Sequence, residues 1–166
     1  MKPARPFVIL FALFSCLSVS AFADPFEAFD GRYVPTGAPT ITADQTKECN
    51  WANFRGMTEV SITKDGEGAQ FLSIVSLLNN SPTTIGYGLK EFSSSGPFGV
   101  SNTGKIDGGP DWARYQQVNS TPDSREILTW EISRRDSSYA FQMTYQIHDQ
   151  FGVNGACYYS VPMKKE

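Results

Sequence analysis

Apolar and polar positions alternate most cleanly between Arg125 and Gln150. Leu128, Trp130 and Ile132 face one way, against Ile127, Thr129, Glu131 and Ser133. Further on, Tyr139, Phe141, Met143, Tyr145 and Ile147 alternate with Ala140, Gln142, Thr144, Gln146 and His148. A period of two with one apolar face is the signature of a half-buried strand, because successive side chains point to opposite sides of a sheet. The short polar link Arg134–Ser138 predicts that the two runs pair as an antiparallel hairpin.

The same reading extends through the rest of the chain. Residues 24–34 predict a first short strand, and 40–42 a brief second one after the proline-containing stretch from Pro35. Glu59–Lys64 alternates, and Asp65-Gly66-Glu67-Gly68 reads as a hairpin turn whose Asp-Gly step supplies positive φ. Ala69–Leu78 carries apolar residues on both faces, which predicts a central, well-covered strand. Asn79–Pro82 turns the chain into Thr83–Phe92, where Ile85, Tyr87 and Leu89 share a face and Gly86 and Gly88 oppose them. Ser93–Asp111 is the least regular stretch and predicts a loop, interrupted by a short strand around 104–106. Ala113–Val118 reads as a strand, Asn154-Gly155 as a hairpin turn, and Cys157–Val161 as the closing strand. With no long helical period, this predicts an all-β fold: about eight antiparallel strands in a mostly up-and-down barrel, with a two-sheet sandwich as the alternative.

The N-terminus changes the picture by adding a compartment. Lys2 and Arg5 precede an apolar run from Phe7 to Leu17, and Ala21-Phe22-Ala23 supplies small residues for cleavage. The run is too short to cross a bilayer, so residues 1–23 read as a signal peptide of bacterial type and 24–166 as one exported domain, periplasmic or secreted. Cys16, within Leu13-Phe14-Ser15-Cys16, offers lipidation as a minor alternative. With Lys2 and Arg5 removed, the 14 basic residues fall by two against 17 acidic ones, and the balance moves from −3 to −5. Such a surface disfavours nucleic acid and anionic membrane. Cys49 and Cys157 remain, and in an oxidising compartment they are expected to form a disulfide closing a loop of about 100 residues, for which the chain-entropy model gives at most ~4–5 kcal/mol.

Candidate chemistry thins out quickly. His148 is the single histidine, which leaves no triad, no Cys-His dyad and no ordinary zinc or copper site; no metal or other cofactor is expected. Asp65-Gly66-Glu67 and Asp107–Asp111 cluster oxygens without the spacing of a calcium loop. Glu59, Glu91, Glu126 and Glu131 offer no evident facing carboxylate pair. The positive signal is aromatic, and it predicts a non-enzymatic protein that binds a small apolar or aromatic ligand inside the barrel, lined by Trp130, Phe141, Met143 and Tyr145. The alternative is a protein-binding module, such as a periplasmic hydrolase inhibitor, acting through the 93–111 loop. Phe29-Asp30-Gly31-Arg32-Tyr33 resembles the Gly-x-Trp signature at the first strand of lipocalins and their calycin relatives. That resemblance implies an exported eight-stranded barrel, with Gly31 and Tyr33 standing for the Gly and the Trp at its floor.

Overall fold

The computed structural model describes residues 24–44, 52–150 and 152–166, and in these the predicted alternation folds into one antiparallel sheet of eleven strands. The signal-peptide reading of 1–23 and the position of Cys49 lie outside the described residues. The strands are β1 (Gly31–Pro35), β2 (Thr40–Asp44), β3 (Met57–Lys64), β4 (Gln70–Leu78), β5 (Ser81–Leu89), β6 (Phe92–Ser95), β7 (Ser101–Gly109), β8 (Trp112–Ser120), β9 (Ser124–Arg135), β10 (Ser138–Asp149) and β11 (Gly152–Lys165). A one-turn helix, α1 (Ala52–Arg55), precedes β3, and a 3₁₀ turn, Pro25–Phe29, precedes β1.

In space the order is β5-β4-β3-β1-β11-β10-β9-β8-β7-β6. Every neighbouring pair is antiparallel, and β2 lies beside β11 off this path. The fourteen-residue β11 is long enough to take two partners along one edge: β2 opposite 156–160 and β1 opposite 163–165. The sheet curls strongly. Tyr87 on β5 and Trp130 on β9 are six strand spacings apart, about 29 Å on a flat sheet, yet their ring centroids are 4.3 Å apart. A single core results, taking in Val60, Ile62, Leu72, Ile74, Trp130, Phe141 and Met143. Phe26 and Phe29 of the 3₁₀ turn join it, and the Tyr33 hydroxyl donates to the Phe29 carbonyl at 2.7 Å.

The expected closed eight-stranded barrel is corrected here. The all-β, antiparallel, mostly up-and-down organisation is present, but the described residues form eleven strands and the sheet does not close. Its two edges, β5 and β6, follow each other in sequence across the link Lys90-Glu91, and no ladder joins them.

The central hairpin forms as predicted, with Phe141 opposite Ile132, Met143 opposite Trp130 and Tyr145 opposite Leu128. Its turn is Asp136-Ser137, with Asp136 at φ 57°. Three local expectations differ. Asn154-Gly155 is not a turn: it lies inside β11, where a bulge shifts the register between Ile147 and His148. In the 65–68 turn positive φ falls on Gly68, while the Asp65 carboxylate accepts from the Glu67 and Ala69 amides. β4 is covered on one face only. Gln70, Leu72, Ile74 and Ser76 point inward, while Phe71 and Leu77 are exposed.

Candidate functional site

The stretch expected to be a loop, 93–111, is mostly ordered as a hairpin. β6 pairs with β7 from Phe92 opposite Gly104 to Ser95 opposite Ser101, and β7 continues to Gly109. The hairpin's root is fixed from inside. Gly104 has no side chain, so the Phe92 ring and the Tyr115 hydroxyl close over its backbone, where a Cβ would meet either at 2.5 Å. Tyr115 donates to the Lys90 carbonyl at 3.3 Å, and the Ile106 amide donates to Glu91 Oε1 at 3.2 Å. The tip is a 3₁₀ turn, Pro97–Gly99, closed by the Gly96 amide donating to the Val100 carbonyl at 2.8 Å.

At this tip Phe98 adopts φ 61°, ψ 27°, and 91% of its surface is exposed. A left-handed backbone is unfavourable for a bulky residue, and exposing a phenyl ring forgoes about 1.5–3 kcal/mol of burial. Val100, 45% exposed, stands beside it. A Cβ at Gly99 would come within 3.3 Å of Pro122, so the tip lies close to the β8–β9 turn. From there the surface continues into a cleft of about 370 Å³ between that turn and the end of β10, lined by residues including Ser120, Arg125, His148 and Asp149. His148 Nε2 is buried in the cleft wall without a hydrogen-bond partner among the described residues.

The residues expected to line a ligand space sit together on the inner face. Trp130, Phe141 and Met143 are buried in the core, and Tyr145 is half-buried at its margin. Trp130 lies between Tyr87 and Tyr115, the latter at a centroid distance of 5.6 Å. Burial raises the phenols of Tyr87, Tyr115 and Tyr145 above their ordinary range, with the Glu126 carboxylate adding to the shift at Tyr145.

The remaining polar candidates are engaged structurally. Asp111 takes a hydrogen bond from Arg134 at 3.0 Å, Glu59 pairs with Arg32 at 2.8 Å, and Glu27 pairs with Lys64. Arg114 lies over the Trp112 ring at 4.8 Å, near Asp107 and Glu131. Among the described residues no three His, Cys, Asp or Glu side chains converge as metal ligands, and no helix is long and apolar enough to cross a membrane. Phe98 is the residue that the strand pattern passed over. Its signal in the sequence is an aromatic set in Gly96-Pro97-Phe98-Gly99, where nothing nearby in the chain offers it burial. Comparison with protein-family models and with curated proteins finds no match for this chain.

Proposed function

We propose that the chain is an exported, non-enzymatic, barrel-like domain that docks onto a protein partner through the β6–β7 hairpin, with Phe98 as the anchor. The observation that carries this reading is a phenyl ring held in solvent on a strained, internally hydrogen-bonded turn. Strain at a single exposed position persists where the surrounding structure imposes it, and such positions cluster at ligand clamps. An exposed aromatic on a pre-ordered loop loses little conformational entropy when it enters a partner's pocket. A periplasmic hydrolase inhibited by insertion of this tip is one partner of the right chemistry. The test replaces Phe98 with a photo-crosslinking phenylalanine. Expected is an adduct of defined mass from periplasmic extract, competed by unlabelled protein but not by unlabelled Phe98→Ser. Equal crosslinking from a control position at Ser73 would count against it.

A second reading, an apolar or aromatic ligand inside the sheet, is favoured by the contact between buried Trp130 and Tyr87 on the edge strand β5. That contact brings the aromatic row up to the unpaired seam. The likeness of Gly31 and Tyr33 to the lipocalin first strand belongs with this reading, as does a bridge between Cys49 and Cys157. Saturable quenching of tryptophan fluorescence by a hydrophobic ligand is its expected mark, and silence across a panel would remove it.

A further inference from the structure

We infer that the outer edge of β6 pairs with β6 of a second copy of this chain, forming a two-fold dimer through backbone hydrogen bonds. The Gly96 amide donates inward to Val100. Bonded pairs alternate along an antiparallel ladder, so Phe92 and Ser94 turn their main-chain groups toward β7. Ser93 and Ser95 therefore direct their N–H and C=O groups away from it, and among the described residues no strand pairs with that edge. A dyad through Ser94 sets Ser93 of each copy opposite Ser95 of the other and forms four such bonds.

Proteins commonly guard an exposed edge with proline, lysine or a bulge. The edge strand β5 carries Pro82, whereas β6, Phe-Ser-Ser-Ser, has none of these. The edge is its own complement: Ser93 and Ser95 lie symmetrically about Ser94, so a second copy meets each outward donor with an acceptor. The chain is acidic overall, −3 in full, so two copies repel. Residues 92–104 nevertheless carry no charged side chain, which makes this edge the place where approach is least opposed. Phe92, partly exposed on β6 itself, gains cover on pairing. The dimer would display two Phe98 tips at opposite ends of the shared ladder, and a partner with two sites would gain by avidity. The inference stands on the β6 backbone and does not depend on Phe98 meeting a partner.

The test is sedimentation equilibrium of the purified exported protein from micromolar to millimolar concentration, with hydrogen exchange at both extremes. Expected is a reversible dimer with the Ser93 and Ser95 amides protected only at high concentration. Ser93→Pro, which removes an outward donor, should raise the dissociation constant at least about tenfold, equivalent to ~1.4 kcal/mol. Ser93→Lys, which keeps the backbone donor and adds mutual repulsion, should do the same with an unchanged circular-dichroism spectrum. A monomer at every concentration overturns the inference, as does a dimer indifferent to both variants or one whose Ser93 and Ser95 amides exchange equally when dilute and concentrated. Loss of a heterologous partner by Phe98→Ser would be read separately, since it moves neither result.

Discussion

Tyr159 shows how one buried side chain ties stability to pH. Its ring is almost wholly enclosed and its hydroxyl donates to the Phe54 carbonyl at 3.0 Å. Burial disfavours the phenolate, pushing the group from 10.0 up to about 12. The folded protein therefore holds this proton at pH values where the unfolded chain releases it. Its contribution to stability is complete below pH 10 and is lost as pH rises towards 12. The denaturant midpoint should fall through that window, and Tyr159→Phe, which has no proton to lose, should flatten the fall. An identical slope in the variant would refute the assignment. At this scale much of the core was legible. Trp130, Phe141, Met143, Cys157 and Val161 all lie on the faces that alternation assigned them, because period two leaves a half-buried strand no other choice. Phe98 was not legible, since an aromatic between glycines and proline has no period to belong to.

Elements were readable in proportion to their regularity. The β9–β10 hairpin follows from two long alternating runs and a short polar link. β6 and β7 were obscured because serine and glycine carry no apolar phase; their pairing is imposed by Phe92 and Tyr115 packing over Gly104. Asn154-Gly155 has the composition of a turn, yet the long β10–β11 ladder overrides it and absorbs the extra residue as a bulge. Gly108 makes a local choice of the same kind, since a Cβ there would come within 2.4 Å of Pro25 and 2.8 Å of the Trp112 carbonyl. That close approach lets the Pro25–Phe29 turn seat Phe26 and Phe29 in the core. Gly108→Ala should therefore destabilise the fold by about 1–3 kcal/mol, the usual cost of overpacking. Gly66→Ala, at a turn position with nothing within 4 Å, should change stability by under about 0.5 kcal/mol. Urea midpoints of the two variants compare them directly, and equal losses would mean that the N-terminal turn does not hold this position.

For the molecule as a whole, the count of strands was the least accessible quantity, because a sheet of short ladders can close, stack or stay open with much the same local pattern. Here it curls around one core and stops short at β5 and β6, so the curl must be held elsewhere. β11 is the natural place, since it joins β10 to both β1 and β2. Cys157 is buried on it, opposite Tyr145 on one side and Ala43 on the other. β2 ends at Asp44, paired with Ala156, and the five residues from there to position 49 span at most about 17 Å. A bridge from Cys49 to Cys157 would thus pin the entry to α1 against the last strand. By the chain-entropy model it would add at most ~4–5 kcal/mol through the unfolded state. Denatured but unreduced protein should then take up no alkylating reagent at either position. Reductant should lower the urea midpoint of the oxidised protein and leave that of Cys157→Ser where it was. Two thiols alkylated without reductant would show instead that the curled sheet is held by its core and ladders alone.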